Sequence, residues 1–460
     1  MSDTLAVIAG KLSAQAIRIM GLGLGSNLPG RVSLKIAPSV LSHLSSQARK
    51  GVVAVSGTNG KSTTSGLIAS IFGAASQKIV HNRQGANLLT GIAATVVDAS
   101  NWTGNLDADY CLFEIDEAAL PLVAKEVKIA NIVVTNLFRD QLDRFGELDT
   151  TAKLITSGIA VNSSAAILNA DDPNVAQMVP NVERLFYGIK NLATESCGET
   201  EGRELIGQAN TSELSYCPSC GNEYEYDLLV YGQLGHYRCS CGHRRPEPEV
   251  YAEDVKVHAT GSTFKLHYNN QSIDVELNLP GTFNVYNALA SAALAFKLGL
   301  PSDAIKKGLC SYSTLFGRSE RVNLDGKQIL IQLIKNPAGA SQALQAAARD
   351  PQGKFLIALN DNYADGRDVS WIWDADFEQL AGCEGPFVVS GTRCNDLAVR
   401  LKYAGVASEK ITIEPSLDRA LDQAKGLCSG EQILWLLPTY TCLLELQKIF
   451  KARGTPLAGT

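Results

Sequence analysis

The segment AVSGTNGKSTTSGLIAS, residues 54–70, constrains the fold more than any other part of this sequence. The apolar residues before it predict a buried strand, and the residues after Lys61 predict a helix. Between the two, glycines let the backbone curl so that successive N–H groups face an anion at the helix N-terminus. Lys61 would reach the outer phosphates of a nucleotide, and the Ser62 hydroxyl would bind Mg²⁺.

The general phosphate-loop pattern is missed at one position, because it requires glycine where this chain has Val55. A glycine-containing turn without a ligand is the alternative, and the strand–loop–helix context argues against it. The sequence therefore predicts ATP binding by one continuous run of residues, namely Gly57, Thr58, Asn59, Gly60, Lys61, Ser62 and Thr63.

Composition limits the remaining choices. The chain has 460 residues, 45% of them hydrophobic, which allows two or three domains with separate cores. Its net charge of −6 argues against a nucleic-acid partner. No apolar run reaches the ~18 residues of a membrane span, and no basic region precedes the apolar N-terminus. Without an export signal, the 11 cysteines indicate a reducing, cytoplasmic environment.

The order of the segments predicts an α/β protein of two units. Residues 1–50 form an N-terminal helical segment, with an amphipathic helix from about Leu5 to Met20 that docks on the body or on a partner. The strands VVAVSG, CLFEID, NIVVTN and AAILNA alternate with helices, which is typical of a doubly wound parallel sheet. This first unit spans residues 51–315 and carries a polar insert at 197–247. A second, Rossmann-like unit covers 316–460, with strands FLIAL, FVVSG and ILWLLP.

Four of the cysteines lie in the insert as two pairs, Cys217 with Cys220 and Cys239 with Cys241, separated by 18 residues. A tetrahedral zinc ion takes four thiolates at ~2.3 Å, and a pair in a tight turn supplies two of them. Disulfides are disfavoured in a reducing compartment. The spacing therefore predicts a structural zinc site in a ribbon, with His236 and His243 as surface residues rather than ligands.

Several segments resemble those of the Mur ligase superfamily, whose members join peptidoglycan precursors, folate or cyanophycin to amines through acyl phosphates. The resemblance rests on GTNGKST, CLFEIDEA (111–118), TNLFRDQLDRFGE (135–147), ILNADDP (167–173), LPGTFNVYNALAS (279–291), and FGRSER with IKNPAGA between 316 and 340. It implies that Glu114 binds Mg²⁺ together with Ser62. It also implies that Asn284 and Asn287 lie on the adenine side and that Arg318 binds ATP at the hinge.

The departures from the superfamily pattern also carry information. Gln141 and Phe145 stand where the pattern has histidines, which puts a second metal site in doubt, and Lys335 replaces the histidine of an H-N-P loop. Many of these ligases use a carbamylated lysine, but the spacing of Lys153 does not match that role. With 50 residues before the loop, no UDP-binding domain is expected.

A Mur-type core, a four-cysteine ribbon and no UDP domain together resemble the MurT family, the ligase-like subunits of lipid II isoglutaminyl synthase. The resemblance implies ATP-dependent amidation of the D-glutamate α-carboxyl of lipid II to D-isoglutamine, at the inner face of the membrane. It implies ammonia from a glutaminase partner, GatD. Lys61 and Mg²⁺ would neutralise charge during phosphoryl transfer. The alternatives are an amino-acid-adding ligase of the folylpolyglutamate synthetase type and a non-enzymatic scaffold.

An acidic loop at 358–378 follows a strand of the second unit. One interpretation is a polar turn that caps a helix beginning near Trp371, with Asp368 or Ser370 as the cap. The other follows from the resemblance, in which an aspartate completes the Cys–His pair of the partner. Among Asp361, Asp365 and Asp368 we favour Asp368, because the SWIW stretch after it could pack against a partner.

Overall fold

The structure is a computed structural model that describes residues 2–19, 27–82, 86–138, 148–193, 216–258, 261–312, 318–350, 352–430 and 432–455. It confirms an α/β protein with two sheets and a separate cysteine-rich hairpin between two strands of the first sheet. Within the described residues, no helix is both long and apolar enough to cross a membrane.

The first sheet has nine strands. The strands up to residue 277 are β1 (Val52–Ser56), β2 (Ile79–His81), β3 (Tyr110–Glu114), β4 (Ile129–Val134), β5 (Ser163–Asn169), β6 (Glu183–Ile189), β7 (Glu225–Tyr231), β8 (Leu234–Arg238), β9 (Val250–His258), β10 (Gly261–Tyr268) and β11 (Gln271–Leu277). Without β7 and β8 they form the sheet in the order β11-β10-β9-β6-β5-β4-β1-β3-β2. Pairing is parallel from β2 to β9 and antiparallel from β9 to β11.

Helices cover both faces of this sheet, as parallel strands require. The helices that precede the second sheet are α1 (Ser2–Ile19), α2 (Leu28–Ile36), α3 (Val40–Ser45), α4 (Lys61–Ala74), α5 (Leu89–Ala99), α6 (Leu120–Glu126), α7 (Leu148–Asn162), α8 (Pro173–Ala176), α9 (Thr282–Lys297) and α10 (Ser302–Ser311). The helices α11 (Pro337–Ala348), α12 (Cys394–Tyr403), α13 (Leu417–Gly426) and α14 (Tyr440–Ala452) pack on the second sheet instead. One core joins the sheet to α4, α9 and α10. The opposite core joins it to helices that include α1, α3, α5 and α7.

Two helices illustrate why these residues pack as they do. In α9 every residue from 284 to 296 is buried, and the polar ones among them, Asn284, Asn287 and Ser291, make hydrogen bonds. In α1 the buried side chains Ala6, Val7 and Ile17 face the body, so the predicted N-terminal helix docks on the chain itself.

The second sheet contains β12 (Arg318–Leu324), β13 (Lys327–Gln332), β14 (Lys354–Ala358), β15 (Phe387–Ser390), β16 (Ile411–Ile413) and β17 (Ile433–Pro438), in the order β12-β13-β17-β14-β15-β16. Its strands pair in parallel except for the β12–β13 hairpin. Cores lie on both of its faces, as in the first sheet. The predicted strands FLIAL, FVVSG and ILWLLP are all present.

The ribbon is inserted without breaking the first sheet. Its strands β7 and β8 pair only with each other, in antiparallel register. On either side of it, β6 and β9 are neighbours, with Tyr187 paired to Val250 and Ile189 paired to Ala252. The chain thus leaves the sheet, forms the hairpin and returns to the adjacent position.

Candidate functional site

The predicted phosphate loop connects β1 to α4, at the carboxyl edge of the first sheet. Gly57 and Gly60 have φ values of +120° and +84°, which only glycine adopts readily. Neighbouring atoms also leave no room for a side chain at these two positions. A Cβ on Gly57 would lie 2.4 Å from Thr135 Oγ1, and one on Gly60 would lie 2.1 Å from Asn287 Oδ1. Both conformation and packing therefore exclude other residues at these two positions.

The end of β4 supports the loop through hydrogen bonds. The backbone N–H of Thr58 donates to Asn136 O at 2.9 Å, and that of Asn59 donates to Asn136 Oδ1 at 3.0 Å. Thr135 Oγ1 donates to Asn59 O at 2.7 Å. Thr135 and Asn136 begin the TNLF segment, to which sequence reasoning assigned no role. Their hydrogen bonds hold the loop in its curled conformation.

Lys61 is buried and folds back over the loop. Its Nζ donates to Gly57 O at 2.5 Å, to Thr58 O at 3.2 Å and to Glu117 Oε1 at 2.8 Å. Burial lowers the pKa of Lys61, but the carboxylates of Glu117 and Glu114 outweigh it, and the net shift is upward. The lysine is therefore held as a cation inside the loop, paired with Glu117.

Glu117 is the acid that sequence reasoning missed. Burial raises its pKa, and the ammonium of Lys61 opposes that shift. It lies three residues after Glu114 in the same CLFEIDEA segment. The sequence did carry a signal for Glu117, because CLFEIDEA has a second glutamate just past the end of the strand. The resemblance, however, implied a role only for Glu114.

The two residues predicted to bind Mg²⁺ lie at the same edge of the sheet. Glu114 is the buried last residue of β3 and pairs in register with Val55, two residues before the loop. Its backbone is fixed by Asn82, which accepts from Glu114 N at 2.8 Å and donates to Glu114 O at 2.7 Å. Ser62 is the second residue of α4. Hydroxyl and carboxylate oxygens are among the hard oxygen ligands that Mg²⁺ prefers.

The structure also brings the predicted asparagines of α9 to the loop. Asn287 Oδ1 accepts from Thr64 Oγ1 at 3.2 Å and lies against Gly60. Asn287 Nδ2 donates to Asn284 Oδ1 at 3.2 Å, and Asn284 Nδ2 donates to Pro280 O at 2.7 Å. Asn287 therefore contacts the phosphate loop itself. The placement of both residues on the adenine side stays a prediction.

The second unit reaches the site through the segment IKNPAGA. Asn336 Nδ2 donates to Asn59 Oδ1 at 3.0 Å. The other amide atom of Asn336, Oδ1, accepts from Gly339 N at 2.8 Å and thereby caps α11. One asparagine thus joins the start of a helix in the second unit to the phosphate loop of the first.

Other predicted residues are not brought into the site or cannot be placed. Arg318 begins β12, and its side chain lies outside those described. Gln141 and Phe145 lie outside the described residues. Lys153 is exposed on α7, in keeping with no assigned role.

The four predicted zinc ligands converge. The sulfur atoms of Cys217, Cys220, Cys239 and Cys241 all lie within 4.8 Å of one another. Cys217 Sγ is 3.6 Å from Cys241 Sγ, and Cys220 Sγ is 3.5 Å from Cys239 Sγ. A tetrahedron with Zn–S bonds of ~2.3 Å has S···S edges of about 3.8 Å. The donor set therefore fits a closed, structural zinc site.

Neither histidine of the ribbon joins this cluster. His243 Nδ1 lies 2.7 Å from Tyr224 Oη, and His236 Nε2 lies 2.7 Å from Ile189 O. Both histidines are half-buried, so their description as surface residues was wrong. The prediction that they are not ligands agrees with these contacts.

The turn of the ribbon hairpin packs beside the phosphate loop. The ring of Tyr231 stacks on Phe138 with centroids 5.6 Å apart, and Gln233 Nε2 donates to Leu137 O. Phe138 in turn exchanges two hydrogen bonds with Thr58, each 3.1 Å long. The ribbon therefore contacts the segment that supports the loop.

The three aspartates of the acidic loop in the second unit lie in different environments. Asp365 is buried, and its carboxylate accepts from Thr441 N at 2.7 Å at the start of α14. Asp361 Oδ1 accepts from Thr392 Oγ1 at 2.9 Å, and its Oδ2 lies 3.5 Å from Arg393 Nη1. Asp368 is exposed, and its pKa is lowered by hydrogen bonds from Ser370. Asp368 is thus the most accessible of the three.

The aromatic stretch after Asp368 differs from the prediction. Residues Ser370–Trp373 form a single 3₁₀ turn rather than the start of an α-helix. Trp371 and Ile372 are buried in the core of the second unit, so their predicted packing against a partner was wrong. Trp373 is 50% exposed and rests edge-on against Tyr403, at a centroid distance of 5.6 Å.

Comparison with known proteins first defines the class. The profile of the Mur ligase middle domain matches residues 55–237 and 233–295. A pseudomurein peptide ligase type C from Methanothermus fervidus has a similar solved structure, with a TM-score of 0.67 and 23% identity, covering 88% of this chain and 79% of that chain. Fold and phosphate loop thus define a protein of the Mur ligase superfamily.

Closer relatives narrow the class. The profile of the MurT ligase C-terminal region matches residues 333–443. Subunit MurT of the glutamine-hydrolysing lipid II isoglutaminyl synthase of Staphylococcus aureus is 37% identical over 97% of both chains. The protein of the same name from Streptococcus pneumoniae is 34% identical over 98% of both chains. The chain belongs to the MurT family.

Proposed function

We propose that this chain is the ligase subunit of a lipid II isoglutaminyl synthase. It would use ATP to amidate the D-glutamate α-carboxyl of lipid II to D-isoglutamine, with ammonia from a glutaminase subunit. The main support is the 34–37% identity to MurT subunits along nearly the whole chain. The phosphate loop with its buried Lys61–Glu117 pair supports the ATP-dependent step.

The proposed chemistry assigns a role to each loop residue. The backbone of residues 57–63 binds the phosphates, and Lys61 turns from Glu117 toward the γ-phosphate as charge develops there. Ser62 and Glu114 would hold Mg²⁺, which neutralises phosphate charge when bound. The carboxylate of the acceptor attacks the γ-phosphorus of ATP, the bond to the β-phosphate oxygen breaks, and ADP leaves an acyl phosphate behind. Ammonia then attacks the acyl carbon, inorganic phosphate leaves, and the nitrogen loses one proton to give the amide. Asn284, Asn287 and Arg318 complete the proposed nucleotide site.

Ammonia is proposed to come from another protein. A thiol glutaminase needs a cysteine and a histidine. The six histidines of this sequence are His43, His81, His236, His243, His258 and His267, so the second unit contains none. In this proposal the exposed Asp368 supplies the acid that orients the histidine of a GatD-like partner. The reaction would take place in the cytoplasm, at the inner face of the membrane.

The remaining parts of the proposal concern the metal and the domains. The cysteine cluster would hold zinc as a structural ion. The chain would divide into a helical segment (1–50), a nucleotide-binding domain (51–315) with the ribbon insert (197–247), and a C-terminal domain (316–460). The alternative of an amino-acid-adding ligase of the folylpolyglutamate synthetase type is not favoured, since the relatives matched along the whole chain are MurT subunits.

The test is to incubate the purified chain with ATP, Mg²⁺, ammonium and lipid II, and to weigh the product. Exchange of OH for NH₂ lowers the mass by about one dalton per amidated carboxyl. The Lys61→Ala variant is the matched control and should form no product while keeping its fold. An unchanged acceptor mass with the wild-type chain, or full amidation by Lys61→Ala, would contradict the proposal.

A further inference from the structure

Asp171 is a fully buried carboxylate at which three parts of the first unit meet. It lies two residues after the end of β5. Its Oδ1 accepts from Arg245 Nε at 2.6 Å, and its Oδ2 accepts from Tyr286 Oη at 2.6 Å and from Ile189 N at 2.8 Å. Arg245 belongs to the ribbon insert, Tyr286 to α9 and Ile189 to β6. One side chain thus connects the ribbon to a helix and to the sheet.

The packing around this carboxylate requires glycine at position 188 of β6. A Cβ on Gly188 would lie 2.5 Å from Asp171 Oδ1 and 2.8 Å from Arg245 Nη2. The side chain of Arg245 is 11% exposed, and its Nη2 also donates to Ile189 O at 3.1 Å. A buried charge that loses its partner is strongly destabilising, so Arg245 and Asp171 depend on each other. Neither residue has a role in the proposed function.

Tyr286 connects Asp171 to the phosphate loop through α9. It is buried, and the next residue is Asn287, whose side chain lies against Gly60 of the loop. The ring of Tyr231, at the end of β7 in the ribbon, meets the ring of Tyr286 edge-on at a centroid distance of 5.8 Å. Because Tyr286 and Asn287 belong to one helix, a displacement of the tyrosine also moves the asparagine.

A second connection runs from Asp171 through the end of β5. Asp171 N donates to Asn169 Oδ1 at 3.0 Å, and Asn169 Nδ2 donates to Thr135 O at 3.2 Å. Thr135 Oγ1 in turn donates to Asn59 O in the phosphate loop. Asp171 is therefore joined to the loop by two routes, one through α9 and one through β5.

The cysteine cluster lies next to Arg245 in the chain. Arg245 follows Cys241 by four residues, and its N–H donates to Tyr237 O at 3.0 Å. Cys239 N donates to His243 O at 2.7 Å and closes the turn that carries both cysteines of this pair. Zinc held by these cysteines, as proposed, would fix this turn and with it the position of Arg245.

We propose that Asp171 is a positioning residue for the nucleotide site, and that zinc in the ribbon and ATP at the phosphate loop bind cooperatively through Asp171 and Arg245. Zinc would hold Arg245 on Asp171, and Asp171 would hold α9 and the loop in the arrangement that binds phosphates. Two ligands that favour the same arrangement raise each other's affinity by the same factor. The inference rests on the proposed function, which supplies both the nucleotide and the metal.

The experiment measures binding at both sites of the full chain. Calorimetric titration gives the ATP affinity, with Mg²⁺ present, of the zinc-loaded and the zinc-depleted chain. Competition with a zinc-selective chelator gives the zinc affinity with and without ATP. Removal of zinc should weaken ATP binding about fivefold or more, and ATP should strengthen zinc binding by the same factor. A residue that served stability alone would leave the zinc affinity independent of ATP.

Two variants test the route from the ribbon to the loop. Tyr286→Phe removes one hydroxyl from Asp171, and Arg245→Met removes the contact of the ribbon, so both should lower the cooperativity factor. Tyr286→Phe, the milder change, leaves the Arg245–Asp171 pair intact and carries the test if Arg245→Met does not fold. Arg238→Gln is the matched control, because Arg238 is also a ribbon arginine but pairs with two acids of the ribbon itself. It should show the cooperativity of the wild type.

Several results would overturn the inference: a wild-type chain without zinc, equal ATP affinity with and without zinc, a zinc affinity that ATP does not change, or wild-type cooperativity in both Tyr286→Phe and Arg245→Met. Amidation of lipid II with ammonium is measured in parallel to separate the two proposals. Cooperative binding of zinc and ATP without amidation would contradict the proposed function alone. Amidation by a chain in which zinc and ATP bind independently would contradict the inference alone.

Discussion

Replacing Glu117 with glutamine tests the buried ion pair of the phosphate loop. The change removes the negative charge opposite Lys61 but keeps the volume of the side chain. Lys61 and Glu117 are only 11% and 5% exposed, and the Nζ–Oε1 distance is 2.8 Å. In the variant the ammonium would remain buried, with two loop carbonyls and the neutral amide oxygen at position 117 as its acceptors.

The expected loss of stability in Glu117→Gln is large enough to measure. At 2.8 Å and an effective dielectric constant of about 20, the attraction is ~6 kcal/mol. Removing one partner of a buried pair costs roughly 3–5 kcal/mol, and the two remaining carbonyls favour the lower value. At roughly 2–4 °C per kcal/mol, the melting temperature of the nucleotide-binding unit should fall by about 6–12 °C. The double variant Lys61→Met/Glu117→Gln should recover part of this loss, because the unpaired ammonium is removed as well.

Differential scanning calorimetry with and without ATP and Mg²⁺ provides the measurement. Phosphate supplies the missing anion, so the nucleotide should raise the melting temperature of Glu117→Gln more than that of the wild type. In the measurement without nucleotide, Glu114→Gln is the matched control, since Lys61 donates no hydrogen bond to Glu114 among the described contacts. A melting temperature of Glu117→Gln equal to that of the wild type would refute the ion pair.

The other predictions concern the ribbon, the acidic loop and pH. Cys217→Ser should release stoichiometric zinc, which elemental analysis measures. Both this variant and Gln233→Leu should raise KM for ATP, because the ribbon turn contacts Leu137 and Phe138 beside the loop. An unchanged KM in an ATP titration of both variants would contradict this prediction. Asp368→Asn should abolish glutamine-dependent amidation in the presence of the partner and spare ammonium-dependent amidation, and a parallel loss of both activities would refute its role toward the partner. Burial raises the pKa of Asp172 to about 6. Since an unfolded aspartate has a pKa of about 3.9, this group stabilises the fold fully below that pH and loses its contribution as the pH rises through 6. Between pH 4 and 7, the melting temperature of Asp172→Asn should therefore not show the decrease that ionisation of Asp172 causes in the wild type. Identical pH profiles of the melting temperature for variant and wild type would refute this prediction.

Local patterns predicted much of this structure, and long-range contacts explain what they missed. The strand–loop–helix around Gly57 and the cysteine pairs of the ribbon are encoded within short segments, so spacing alone indicated them. The bond between Asn59 and Asn336 joins residues 277 positions apart, which no periodicity can reveal. The burial of Trp371 was missed for a similar reason, because a short turn carries no helical period and its packing depends on the rest of the core.

The position of the ribbon in the chain bears on how the protein reaches its fold. β6 and β9 are neighbours in the sheet, yet some 60 residues lie between them. Closing so long a connection costs entropy before the strands can pair. A ribbon folded around zinc, as proposed, would bring the ends of this connection closer together. Arg245 Nε donates to Asp171 Oδ1 at 2.6 Å and Gly235 N donates to Asp171 O at 2.9 Å, next to the position where β9 pairs with β6. If the cluster binds zinc as proposed, metal uptake would be a step in building the first sheet, and a chain refolded without zinc should stall with the β9–β11 edge unformed.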